Sequence, residues 1–111
     1  HYLVALAGRK IPVAPYACFG TPELARSAAG SMGDGKAVLL ANHGMVSVGR
    51  SLSEAFRIAE TVEFAAMVYS KALTLGEPRV LSDAEVDRVM DALKDYGSSV
   101  IQTGPLKEGD R

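Results

Sequence analysis

Val38-Leu39-Leu40-Ala41-Asn42-His43-Gly44-Met45-Val46 is the stretch on which the reading of this chain turns. Consecutive Val38, Leu39 and Leu40, within Lys36–Ala41, read as a buried strand, because a half-buried one would alternate with polar residues. Asn42-His43-Gly44 interrupts it, and Met45–Val48 continues as a second extended segment. The two form either a hairpin or one strand with a sharp break. Either way an imidazole is carried where a strand ends, beside a glycine that lets the backbone turn.

Upstream, the Gly33-Asp34-Gly35 turn closes a helix that opens at Thr21, a natural N-cap, with Pro22 at the first helical position. Leu24, Ala28, Ala29 and Met32 give that helix one apolar face. Ile11–Tyr16 carries Pro12 and Pro15, which remove two backbone donors and predict an edge or irregular extended segment. Gly8-Arg9-Lys10 is a turn, and the apolar run Tyr2–Ala7 before it is either a strand or the end of a helix, with strand preferred. Downstream, Ser51 with Glu54 forms a capping box opening a helix over 52–75, which Gly76 and Pro78 end. Leu52, Ala55, Phe56, Ala59, Val62, Ala66, Tyr69 and Leu73 share one face of it; Ile58, Ala65, Val68 and Ala72 make a second apolar row. Two rows leave little wet surface, so the helix is expected to be buried in a large fold or against another subunit. Ser82 with Glu85 repeats the box, flanked by Leu81 and Val86 at staple positions, for a last helix over 83–94. From Ser98 to Arg111 the pattern fades into an expected mobile tail.

The chain has 111 residues, 48% of them hydrophobic, with a formal net charge of -1, enough for one core or part of one. Positive charge is not clustered, which sets nucleic acid aside as a partner. No apolar run is long enough to span a bilayer, and no signal peptide is visible. A single cysteine, Cys18, cannot form an internal disulfide, so a cytoplasmic setting is expected. The chain opens at His1, straight into an apolar run, and that start is read as a cut within a domain.

Gly30-Ser31-Met32-Gly33-Asp34-Gly35-Lys36 looks like a phosphate-binding loop but has Ala37 where Ser or Thr would hold magnesium, and it follows a helix rather than a strand. A plain loop suffices. His43 can turn into a cleft and bind zinc, but zinc wants about four ligands, and no spacing groups His43 with His1 or Cys18. The residues alone favour a hydrogen-bonded structural histidine. Tyr2 and Tyr96 could each donate a phenolic proton, although a packed or surface tyrosine is the simpler reading. Core packing is the simpler reading of Phe19, as are a small buried apolar residue for Cys18 and solvated carboxylates for Glu60 and Glu63.

Taken together, the segments resemble one family. Ala14-Pro15-Tyr16-Ala17-Cys18-Phe19-Gly20-Thr21-Pro22-Glu23-Leu24 is similar to the stretch before the central helix of class II aldolases, and Val38–Val46 resembles their "LL.NHG(L/M)" signature. Ser53-Glu54-Ala55-Phe56, Ala59-Glu60 and Glu63 match the helix that follows. His1-Tyr2 and Lys94-Asp95-Tyr96-Gly97 resemble the branch that holds the L-fuculose-phosphate aldolases; Leu93 departs from it, standing where some relatives carry an aromatic. The resemblance spans about residues 1–97 and implies an α/β/α layered fold around a mainly antiparallel sheet, here its C-terminal portion. It implies a homotetramer with active sites between subunits.

It also implies zinc, with His43 as one of three histidine ligands. The other two, and the catalytic carboxylate, would precede His1, so this chain alone is expected to be inactive. Zinc would act as a Lewis acid in splitting a ketose 1-phosphate of the L-fuculose 1-phosphate kind into dihydroxyacetone phosphate and a small aldehyde. By the same resemblance Tyr2 and Tyr96 would serve the aldehyde oxygen and Phe19 its apolar side. Readings on the same fold that stay open are a pentulose-phosphate 4-epimerase, a thioribulose-phosphate dehydratase, and a non-catalytic interaction module like the adducin head domain.

Overall fold

A computed structural model describes residues 3–100, apart from the side chains of Val4, Ala5 and 95–100. The elements run α1 (Val4–Ala7), β1 (Val13–Ala14), α2 (Pro22–Met32), β2 (Ala37–Leu40), β3 (Gly44–Ser47), α3 (Leu52–Leu75) and α4 (Asp83–Val100). Among the described residues one sheet forms, in the order β1-β2-β3. β2 and β3 are an antiparallel hairpin, Leu40 opposite Gly44 and Ala37 opposite Ser47. β1 lies parallel to β2, with Val13 opposite Leu39, and α2 is the crossover between them.

The prolines explain why β1 is an edge. Pro12 and Pro15 flank the strand at positions where the ladder asks for no donor: Leu39 N–H donates to the Pro12 carbonyl at 2.9 Å and Ala41 N–H to that of Ala14 at 3.2 Å, while the parallel register calls only on the Ala14 N–H of this strand. Alternation along β2 then divides the core. Ala37 and Leu39, with Met45 across the hairpin, face Ala7, Ile11, Ile58 and Val62 from α1, its following loop and α3. Val38, fully buried, faces the other way, where α2 covers β1 and β2. Helices on both sides of a mixed sheet make the expected α/β/α layering, and the antiparallel pairing is the longer of the two.

Several local expectations need correction. Of the two readings of Tyr2–Ala7, the preferred strand gives way to the helix: the run contains a helical turn in which the Leu3 carbonyl accepts from Leu6 and Ala7 N–H. A short unbroken apolar run has no period to tell the two apart, and its alanines favour helix. The last helix does not stop at residue 94 but runs to Val100, since one glycine, Gly97, is tolerated inside a helix. The remaining residues assigned to the tail, 101–111, lie outside the described ones. On α2, Leu24, Ala28 and Met32 are half-buried but Ala29 is exposed.

Two capping boxes were expected, and they differ. Ser82 accepts from Glu85 N–H at 3.3 Å while Glu85 accepts from Ser82 N–H at 2.8 Å, a reciprocal box, with Val86 buried beside it. At α3, Ser51 accepts from Glu54 N–H at 3.1 Å, but the return bond lands one residue early: Glu54 Oε2 accepts from Arg50 N–H at 2.9 Å and from Arg50 Nε at 3.1 Å, and Oε1 from Lys36 Nζ at 3.0 Å. Gly49 allows this, because a Cβ there would come within 2.7 Å of the Ala55 nitrogen. These donors, the Arg50 N–H first, hold the Glu54 carboxyl at about 2, well below its ordinary 4.5. A carboxyl depressed on folding stabilises the fold fully above its unfolded value and loses that contribution as pH falls through the folded one. The stability difference between wild type and Glu54→Gln is therefore expected to be complete above pH 4.5 and to vanish towards pH 2, read from urea unfolding midpoints. A difference independent of pH would show that the charge plays no part.

α3 spans the predicted residues, but in this chain only Ile58, Thr61 and Val62 on it are buried. Leu52, Phe56, Ala66, Tyr69 and Leu73 of the first row and Val68 of the second are exposed, as are Phe64 and Met67 beside them, so half of the two apolar rows is not covered by the described residues. None of the described helices is long and apolar enough to cross a membrane.

Candidate functional site

The hairpin loop Ala41-Asn42-His43 is short, and its geometry aims His43. Asn42 takes φ of 61°, a left-handed conformation that asparagine tolerates better than most side chains. His43 N–H closes the turn on the Leu40 carbonyl at 3.0 Å, and Gly44, with φ of 154°, lets the chain re-enter the sheet. The β1–α2 loop receives the imidazole. His43 Nε2 lies 2.9 Å from the Ala17 carbonyl oxygen, and the ring stacks on Tyr16, centroids 5.4 Å apart and planes 7° from parallel.

A carbonyl oxygen can only accept, so Nε2 carries hydrogen, and in the neutral ring the lone pair falls on Nδ1. One nitrogen fixed to a backbone carbonyl and the other left as a donor is the usual arrangement of a metal-binding histidine. His43 itself is exposed. Among the described residues no three His, Cys, Asp or Glu side chains gather to hold a metal, so it could be one corner of a centre but not the whole.

The receiving loop is fixed by its own carbonyls. Ser27 Oγ donates to Pro15 O at 3.3 Å and Thr21 Oγ1 to Cys18 O at 2.7 Å, while Thr21 Oγ1 also caps α2 by accepting from Leu24 N–H at 3.3 Å. Ala17 is buried; its neighbours point outward. Cys18 is exposed, contrary to its expected burial, because the loop turns its carbonyl inward to Thr21 and its thiol to solvent. Phe19 is 79% exposed, which overturns core packing as its role: the turn at Phe19-Gly20 carries its ring off the surface of the loop that holds His43.

Of the other residues singled out from the sequence, the described ones, Glu60, Glu63 and Lys36, make no contact with His43. Tyr2, like His1, lies outside the described residues. Tyr96 falls in α4, with its side chain outside the described ones. Glu60 and Glu63 are exposed on α3, as expected. Lys36, the lysine of the phosphate-loop lookalike, pairs with Glu54, and a Cβ on Gly35 would come within 2.9 Å of the Met32 carbonyl, so that loop serves as a tight turn. Tyr16 is what sequence reasoning passed over. It was part of the quoted motif, yet no local pattern announces a ring contact with a residue so distant in the chain.

Known proteins share this arrangement of segments. The family model for the class II aldolase and adducin N-terminal domain matches residues 1–70. The 5-methylthioribulose-1-phosphate/5-deoxyribulose-1-phosphate aldolase of Rhodospirillum rubrum is 42% identical over 106 residues, covering 95% of this chain and 48% of that protein. The L-fuculose phosphate aldolase of Escherichia coli K12 is 41% identical over 99 residues, covering 87% and 46%. A solved L-fuculose 1-phosphate aldolase superposes with a TM-score of 0.78 at 46% identity, over 85% of this chain and 44% of the other. The chain thus spans about half the length of the curated relatives it matches.

Proposed function

The chain belongs to the class II aldolase and adducin N-terminal domain family, and from that premise we propose that the protein is a zinc-dependent aldolase cleaving a ketose 1-phosphate to dihydroxyacetone phosphate and a small aldehyde. The observation that carries the reading is His43, set at the tip of a hairpin with Nε2 tied to Ala17 O and one nitrogen left over. An interaction module has no use for an imidazole held this way, which weighs against the adducin-like alternative.

In this reading His43 supplies one zinc ligand, and the remaining donors with the catalytic carboxylate precede residue 1. When bound, zinc supplies Lewis acidity to the oxygens of the substrate. Tyr2 and Tyr96 serve as phenolic donors to the aldehyde oxygen. Phe19 offers an apolar face beside the site. The deoxy and methylthio ends named for the Rhodospirillum relative's substrates are apolar, and an exposed phenyl ring suits such a group. The bare apolar rows of α3 support burial of that helix by protein outside this chain, in keeping with a homotetramer and sites between subunits.

The test is a product assay on the full-length protein with L-fuculose 1-phosphate, 5-deoxyribulose 1-phosphate and 5-methylthioribulose 1-phosphate. Release of dihydroxyacetone phosphate is expected from at least one of them, lost on treatment with a chelator and restored by zinc. Full activity in the presence of chelator would remove the metal. An epimerised or dehydrated product would shift the reading to the 4-epimerase or the dehydratase, and no turnover with no bound metal to the interaction module.

A further inference from the structure

We propose that Tyr16 is a positioning residue for His43: its ring fixes the plane in which the imidazole presents its free nitrogen, while the carbonyl of the next residue fixes which nitrogen that is. This rests on the metal-centre reading above. A single hydrogen bond pins one atom of an imidazole but leaves the ring free to swing about that point, because the outer side-chain torsion of histidine has broad wells. The Ala17 carbonyl, 2.9 Å from Nε2, is such a pin. Tyr16 supplies the missing constraint: two nearly parallel rings, 7° apart with centroids at 5.4 Å, adopt the offset stack that aromatic pairs prefer, and a swing of the imidazole would break it.

The stack can be removed without dismantling its surroundings. Tyr16 is itself largely exposed, and its hydroxyl makes no hydrogen bond to a described residue. The loop is laced through backbone carbonyls, by Ser27 to Pro15, His43 to Ala17 and Thr21 to Cys18, none of which involves the tyrosine side chain. A residue that contributes so little to the core, yet lies flat against the imidazole of His43, acts on that side chain. The ring and not the hydroxyl makes the contact, so phenylalanine should replace it and an aliphatic residue should not.

The experiment compares wild type, Tyr16→Phe, Tyr16→Leu and His43→Ala in the full-length protein. It uses zinc affinity by competition with a chromophoric chelator and, on the metal-free protein, nitrogen NMR of the His43 ring. Tyr16→Leu is expected to weaken zinc about tenfold, in the range seen when partners that orient a ligand are lost, and to shift and broaden the His43 ring signals as the imidazole swings about its bond to Ala17 with its tautomer unchanged. Tyr16→Phe should stay within about twofold of wild type, with wild-type ring shifts. Wild-type zinc affinity and ring shifts in Tyr16→Leu would overturn the proposal, and so would equal losses in the Phe and Leu variants. His43→Ala separates the two levels: undiminished zinc binding there overturns the metal-centre reading itself, whereas loss in His43→Ala beside no change in Tyr16→Leu overturns only the role of the tyrosine.

Discussion

Replacing His43 by alanine or by glutamine is expected to abolish metal retention and to cut turnover by about a thousandfold or more in the full-length protein. The two variants remove different things. Alanine deletes both ring nitrogens. Glutamine can still donate an amide N–H to the Ala17 carbonyl, which lies 2.9 Å from Nε2 in the native loop, but it does not offer the imidazole nitrogen that zinc takes. If His43 were only a structural histidine, glutamine would restore most of what alanine loses, and the loss itself would be small, since one hydrogen bond on an exposed hairpin tip is worth about 1 kcal/mol. If it is a ligand, both variants fail alike. A Lewis acid contributes several kcal/mol to the transition state, and each ~1.4 kcal/mol is a factor of ten in rate. Metal content by mass spectrometry and the dihydroxyacetone phosphate assay decide it, and a glutamine variant with native zinc content and turnover would end the assignment.

How far the site could be read from the chain depends on what kind of signal each residue left. Thr21-Pro22 and Ser82-Glu85 announced themselves because a cap is a local arrangement whose partners sit within four residues. The hairpin around Asn42-His43-Gly44 was legible for the same reason, down to the residue that leaves the strand. Resemblance, and not spacing, singled out His43 as a candidate metal ligand; what the structure adds is that its Nε2 lies on the Ala17 carbonyl, which leaves the other ring nitrogen over. Failures came where local signals conflict or fall silent. Leu3–Ala7 has no period, so strand and helix both stayed open there and strand was wrongly preferred. The Glu54 carboxylate bonds to Arg50 instead of Ser51 because Gly49 admits a close approach that only coordinates reveal. Phe19 and Cys18 were assigned to the interior from residue type, whereas the loop's backbone hydrogen bonds turn both outward. Tyr16 was missed since its contact with His43 joins one strand end to another strand's loop, and such long-range pairs follow from the parallel β1–β2 register, not from any window of sequence.

Ile58→Ala is expected to be the most damaging single change to the fold, at about 2–5 kcal/mol, a large share of the roughly 5–15 kcal/mol that holds a typical domain folded. Ile58 is 1% exposed and, with Val38, is one of the largest fully buried side chains among the described residues. It is also where the layers meet: Ala7 from α1, Ala37 from β2 and Val62 from α3 form one cluster with it, and Leu39 and Met45 pack against that cluster from the two strands of the hairpin. Truncation leaves a cavity that neither a strand fixed in register nor a helix capped at Ser51 can shift to fill. Ile58→Val should cost only about 0.5–1.5 kcal/mol, so the size series distinguishes lost packing from a general disturbance of α3. The same cluster supports the sheet face behind the hairpin, while His43 is held from the opposite end by Tyr16 and Ala17. Stability and metal affinity should therefore separate: Ile58→Ala lowers the urea midpoint strongly, yet the protein that remains folded binds zinc within a few-fold of wild type. An unchanged midpoint would mean that α3 is not anchored through this side chain, and a collapse of zinc affinity in the folded fraction would mean that the hairpin tip is positioned by the core and not by its own loop contacts.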